Sequence, residues 1–494
     1  MPINTTHPEY DEASPIWQDI RTAIKGSRAV KAAGDKYLPK LYEQEQGEYE
    51  NYKLRAIWYG ATSKTADGYV GIITRKPINF TNGDALQPFL DDCDRRGTSF
   101  NTYAQAVIRQ LVEVSRCGTL IDWTTASEPY LTQYTAEQII NWDTRKLGGE
   151  KVLSFLMLQE ETSEFNALSG HEAPDEYERP SYEQWREFRL IGDTPETATV
   201  TMKLHRRRYD NGEKKKGSKT PDASDDFVTI QTSTLTRRGI PVRAIPFIFH
   251  TAANIAPECC AKPLLEDLAE LNFAHYRASA DIWNGRHMAG LPTPWAVCFT
   301  DETTKTLTLG TSKAWTSDNK DAKAGILEMS GAALQTIADG MAEIEQQMAA
   351  LGARAIEPAK KDAEAVGTVL LRARAETASL VAIAEQASTS LSQVMLWANW
   401  LVGTHERPQD EAKNVYAVIP SDMTAGKMDA TTLTALVGAL QSNAISFEVF
   451  FHNLQAGEMY PDARTLEEEQ SAIEQGPPAP PLPEVPPGST PPGA

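Results

Sequence analysis

Apolar residues recur at alternating steps of three and four in three stretches of the second half of the chain, and each stretch predicts a helix. Leu264, Leu268, Leu271 and His275 set the first, which Pro263 opens at its favoured first position and which runs to about Gly285. Leu334, Ile337, Met341, Ile344, Met348 and Leu351 set the second, closed by Gly352. The third carries Leu370, Ala373, Thr377, Leu380, Ala384, Ala387, Leu391, Val394, Ala398 and Leu401, with no Pro or Gly until Gly403. Between the first two, LPTPWAVCFTDETTKTLTLGTSKAW brings prolines, Gly310 and β-favouring residues, which predicts a small strand-rich insertion to about Ser330. Such stripes, taken singly, ordinarily mean core packing; their order, helix, β insertion, helix, loop, long helix, is the more specific signal.

The first half mixes short helical stretches with strand-like ones such as Val152 to Gln159 and Val200 to Leu204. The fold class expected is therefore α+β, mainly helical. RRRYDNGEKKKGSK from Arg206 to Lys219 reads as an exposed basic hairpin tip turning at Asn211-Gly212. After Gln475 comes GPPAPPLPEVPPGSTPPGA, whose nine prolines leave little to bury, so residues 475–494 are expected to be a disordered tail.

Charge narrows the partners. Sixty-seven acidic residues against 48 basic ones give a net charge of −19, unsuited to gripping nucleic acid over a whole surface but compatible with letting it slide past. Five cysteines, none in a C-x-x-C pair, suit a reducing cytoplasm, and the polar start MPINTTHPEYDEA predicts neither an export signal nor a membrane span. GEKKKGSKT at Gly212 lacks the Lys that a phosphate loop places directly after its second Gly, and the eight histidines never fall at metal-ligand spacing. No enzymatic activity, metal or cofactor is expected.

Several strings resemble phage portal proteins, the head-to-tail connectors: HPEYDEASPIWQDIRTAIKGSRAVKAAGDKYLPKL from His7, YKLRAIWYGATSKTADGYVGIITRKP from Tyr52, KPLLEDLAELNFAHYRASADIWNGRHMAGLPTPW from Lys262 and MAALGARAIEP from Met348. The likeness spans roughly His7 to Gly403; the basic tip and everything after about His405 stand outside it. It implies a portal-like subunit with wing, stem, clip and crown, in a ring of usually twelve copies at one capsid vertex. The wing would take residues 1–261, the first stem helix 262–285, the clip 286–330 and the second stem helix 331–351. The channel loop would take 352–368, the long wing helix 369–403 and a short helical crown 404–474.

The resemblance further implies a ring-shaped channel for double-stranded DNA in genome packaging, retention and ejection, assembled in the host bacterial cytoplasm and carried in the virion. Its partners would be other copies of the chain, the terminase large subunit, the head-tail adaptor, and the major capsid and scaffold proteins. On that reading Arg354, Lys360 and Lys361 face DNA from the channel loop without reading sequence. Trp295 and Trp315 mark the clip interface, unless they anchor the insertion's own small core. Leu264, Leu268, Leu271, Leu334, Ile337, Met341, Ile344 and Met348 pack the stem. The competing readings are another ring-forming structural virion protein, such as a head-completion or scaffold component, and a soluble enzyme with an unfamiliar site.

Overall fold

A computed structural model of the protein describes residues 2–81, 86–166, 177, 180–207, 209–210, 213–214, 227–290, 293–298, 319–327, 331–352, 366–403, 415–420, 430–442, 444–456, 459, 465–474 and 476. The chain divides into two units, Met1–Met423 and Thr424–Ala494.

Local signals set the first helices of the larger unit. His7 caps α1 (Pro8–Lys25) by accepting from the Glu9 amide, Pro8 supplies a fixed φ in the first turn, and Gly26 ends the helix at φ 83°. After α2 (Ser27–Ala32) come α3 (Gln46–Arg55), α4 (Ala61–Ile73), β1 (Asn79–Thr81) and α5 (Gln87–Asp91). In α6 (Phe100–Val114), Phe100, Tyr103, Ala104, Val107, Ile108, Leu111 and Val112 recur at helical spacing and are all buried. Ser99 caps its start, and Ser115 ends it in the left-handed conformation.

Two antiparallel sheets follow, with strands β2 (Arg116–Trp123), β3 (Pro129–Thr135), β4 (Ile139–Leu147), β5 (Glu150–Thr162), β6 (Tyr182–Ile191) and β7 (Thr199–Arg207). The short β8 (Tyr209–Asp210) and β9 (Glu213–Lys214) precede β10 (Phe227–Thr234), β11 (Thr236–Arg237), β12 (Ile240–Pro241) and β13 (Phe247–Thr251). The small sheet has the order β13-β2-β3 and the larger one β10-β7-β6-β5-β4. Leu120, Phe247 and Phe249 of the first meet Ile139, Leu156, Leu158, Phe188 and Val200 of the second in one core. On the other face of β2, Cys117 and Ile121 join a core built with α1, α3, α4 and α6. Buried on both faces, β2 reads as an almost unbroken run of buried positions rather than an alternation.

Gly118 at the centre of β2 is required by space: a Cβ there would lie 2.1 Å from Phe247 Cζ and 3.0 Å from Ile139 Cδ1. Gly118→Ala is expected to cost about 1–3 kcal/mol by overpacking, measured by denaturant unfolding; unchanged stability would show that Phe247 can move aside freely.

The rest of the unit is α7 (Glu266–Gly290), β14 (Thr293–Val297), β15 (Lys323–Leu327), α8 (Gly331–Leu351), α9 (Val366–Val402) and β16 (Tyr416–Val418), which pairs with β1. Leu380, Ala384, Ala387, Leu391, Val394, Ala398 and Leu401, all on the stripe expected for the long helix, are buried in the helical core. The smaller unit holds α10 (Ala430–Gln441), α11 (Phe447–Ala456) and α12 (Leu466–Glu474). Thr465 and Glu468 form a reciprocal capping pair at the start of α12.

The basic stretch departs from expectation at its base. Arg206 is not part of an exposed tip: it is 2% exposed, donating to the Glu164 carbonyl at 2.6 Å and to Gln184 Oε1 at 3.2 Å. A guanidinium near the end of a strand turns inward when acceptors wait beside it, here Gln184 on the neighbouring β6 and the Glu164 carbonyl just past β5. Asn211, Gly212 and residues 215–219 lie outside the described residues, as does the tail from residue 477.

Candidate assembly surface

The α7–α8 hairpin is built on polar clamps. Asn272, fully buried, accepts from the Thr62 amide at 3.2 Å and its hydroxyl at 2.9 Å, and donates from Nδ2 to the Tyr59 carbonyl at 2.5 Å. Ser279 Oγ, one heptad on, accepts from the Ile57 amide at 2.9 Å. Tyr52 donates to Asp281 at 2.5 Å, and burial together with that carboxylate raises its phenol above the ordinary value. Arg55 reaches Asn284 Oδ1 at 3.1 Å. Apolar contacts fill between: Phe273 stacks on Tyr37 with centroids 4.1 Å apart and lies 5.4 Å from Trp58. The base of α7 is thus fixed against α3 and the start of α4.

The helices α7 and α8 run antiparallel. His275 Nε2 meets Glu345 Oε1 at 3.0 Å. A Cβ on Gly285 would approach Leu334 Cδ2 to 2.5 Å, and one on Gly352 would approach Thr65 Cγ2 to 2.7 Å and Leu268 Cδ2 to 3.1 Å. Gly285, expected to end the first helix, instead lets α8 pass closely while α7 continues to Gly290. The tip is the antiparallel pair β14–β15, where Trp295 pairs with Gly325 and lays its indole 2.9 Å from where a Cβ of Gly325 would stand.

The expected stem-packing residues fall into three groups. Leu268 and Met348 are buried at 2% and 1% exposure. Leu271 and Ile344 are partly buried against the core, and Leu334, Ile337 and Met341 are half-covered. Leu264 is a correction: α7 begins at Glu266, and Leu264 sits in the turn before it, 38% exposed. The buried face of α7 carries Leu268 and His275 of the expected stripe together with Ala269, Asn272, Phe273, Tyr276, Ser279, Ala280 and Ile282, so it is wider than the stripe and extends about one position beyond it. Trp295 is 43% exposed, with its ring partly over its own hairpin. Trp315, Arg354, Lys360 and Lys361 lie outside the described residues.

Behind the hairpin, a buried polar chain ties α9 to the small sheet. Tyr103 and His250 Nε2 each lie 2.7 Å from Thr119 Oγ1, and His250 Nδ1 lies 2.7 Å from Ser390 Oγ, which donates to the Ala387 carbonyl at 3.1 Å. Since Ser390 spends its proton on Ala387, it accepts from Nδ1, which leaves Nε2 to accept from Thr119. Complete burial pushes the imidazole down to about 3 and keeps it neutral. Long-range strand pairing assembles this chain, so no sequence spacing announced it. Asn272 and Ser279 did leave a signal: polar residues one heptad apart within an otherwise apolar face.

Among the described residues no group of three or more His, Cys, Asp or Glu could hold a metal ion, and no helix is long and apolar enough to cross a membrane.

A family model described as a domain of unknown function, DUF4055, matches residues 263–401, the segment from the turn before α7 to near the end of α9. No curated protein matches the chain. Among solved structures, the chain is similar to one in the virion of a native gene transfer agent particle, at 10% identity and a TM-score of 0.39, covering 85% of this chain and 94% of that one. It is also similar to one in the neck of an empty gene transfer agent particle, at 9% identity and a TM-score of 0.40, covering 89% and 100%. Similarity at this level defines neither a shared fold nor a shared role.

Proposed function

We propose that the chain is a structural protein of a phage-like particle and, within that class, a portal subunit whose copies form a ring-shaped channel for double-stranded DNA. The observation that carries the reading is the α7–α8 hairpin: clamped at its base, tipped by a two-stranded β element, and half-uncovered along the Leu334, Ile337 and Met341 stripe. Leu334 of that stripe lies against Gly285 of α7, so the stripe closes the hairpin itself, and the partly open edge it leaves is what a neighbouring copy would cover. At 25 residues, α7 is about 37 Å long, enough to line a short tunnel when copies stand side by side. The order of elements follows the wing, stem and clip sequence that the resembling strings imply, and the acidic balance keeps DNA from adhering to the channel.

On this reading the β14–β15 tip faces the terminase large subunit during packaging and the head-tail adaptor afterwards, while the sheet-bearing part meets capsid and scaffold proteins. The purified chain is expected to form a closed ring, with twelve copies of the 54.4-kDa subunit as the leading species in mass photometry. A stable monomer at micromolar concentration across several salt conditions would overturn the proposal.

A further inference from the structure

We propose that Arg277 on α7 and Glu343 on α8 pair between neighbouring copies of the chain, making a charged seam that sets how adjacent hairpins dock. This rests on the ring reading above.

The geometry comes from the contacts within one hairpin. His275 and Glu345 meet face to face, so both lie on the inner sides of their helices. Arg277 is two residues beyond His275, and Glu343 is two residues before Glu345. Two helical residues turn a side chain by about 200°. Each therefore points away from the partner helix, on opposite outer flanks of the hairpin. Because the helices are antiparallel, stepping two residues forward on one and two back on the other keeps the same height. Arg277 and Glu343 are thus level with each other yet unable to meet within one chain. Both are exposed, and among the described residues neither has an ion-pair partner.

A rotation axis running along the hairpins carries every residue to the same height in the next copy. The outer flank of one α8 then faces the side of the next α7 where the exposed Arg277 projects beside α3, bringing Glu343 level with the neighbour's Arg277. Ala342, Gln346, Gln347 and Ala350 flank Glu343, with the exposed Asp339 one turn before it; Ala274 and Ala278 flank Arg277, while Phe273, Asp281 and Asn284 on the same row of α7 are held by Tyr37, Tyr52 and Arg55 of the same chain. The acidic neighbour Asp281 already accepts from Tyr52. Every copy carries a net charge of −19, so the chains repel one another, and an opposite-charge contact at each junction offsets this where the helices must touch. The contact is also directional. Its two halves lie on different flanks, which favours head-to-tail closure over two-fold pairing.

The test uses the full-length chain in three variants, Arg277→Glu, Glu343→Arg and the double exchange, with ring formation followed by mass photometry against protein concentration at low salt. Each single reversal sets like charges at every junction and is expected to raise the half-assembly concentration at least about tenfold. The double exchange is expected to return it to within about threefold of the unaltered chain. Melting temperatures should stay near that of the unaltered chain, since both side chains are exposed. Single variants that assemble like the unaltered chain, or a folded double exchange that assembles no better than the singles, would overturn the pairing while leaving the ring reading intact. An unaltered chain that forms no ring overturns the ring reading, and the pairing with it.

Discussion

Lowering the pH from 7 to 5 is expected to cost the larger unit about 2 kcal/mol through His250 alone. The folded imidazole titrates near 3 against an ordinary value of 6.5, because complete burial disfavours its charged form. Below 6.5 the unfolded chain therefore takes up a proton that the folded chain refuses. Stability from this group is complete above about pH 6.5 and is lost progressively as pH falls towards 3. The hydrogen-bond order gives the same sign: with Ser390 donating to Ala387, Nε2 is the acceptor for Thr119, 2.7 Å away, and a proton on Nε2 would turn that acceptor into a donor. The check is denaturant unfolding at pH 7, 6 and 5 for the unaltered chain and for His250→Gln, which carries no titratable group. The difference between the two should narrow as pH falls. A constant difference across this range would show that His250 does not govern the response.

Replacing Asn272 with Leu is expected to cost about 3–5 kcal/mol, even though Leu favours helices more and is nearly the same size. The Thr62 amide, the Thr62 hydroxyl and the Tyr59 carbonyl would all lose their partner inside the core. Each unsatisfied buried group costs about 1–3 kcal/mol. Asn272→Asp tests the explanation further, since it keeps the acceptor for Thr62 but removes the donor to Tyr59 and adds a buried charge. Both variants should lower the melting temperature and loosen the base of α7, read as faster amide exchange through residues 268–284. A Leu variant as stable as the unaltered chain would mean that apolar packing alone holds the hairpin.

Periodicity made much of this architecture legible. The stripe from Leu380 to Leu401 coincides with the buried face of α9, because a long helix crossing a core must present one continuous apolar side. The second stripe, from Leu334 to Leu351 and closed by Gly352, falls within α8, whose start at Gly331 only the resemblance implied. The first helix departs from its stripe in start and end, and its buried face is wider than apolar residues alone mark, for separate physical reasons. Pro263 precedes a turn rather than the first helical residue, and Gly285 serves a helix crossing rather than a stop. Asn272 and Ser279 belong to the buried face because their partners, Thr62, Tyr59 and Ile57, come from more than 200 positions away. Apolar counting discards such residues, since it cannot know that a buried amide is satisfied. Arg206 was misplaced for the same reason. The His250 chain was hidden more completely, because it exists only once β13 has paired with β2 and α9 has docked on them.

Electron microscopy of the purified full-length chain tests the central claim most directly. The account predicts a closed ring with an axial bore wide enough for duplex DNA, with the α7 and α8 helices of successive copies standing side by side around it. A ring without such a bore, or one whose α7–α8 hairpins point away from the axis and touch no neighbour, would contradict it.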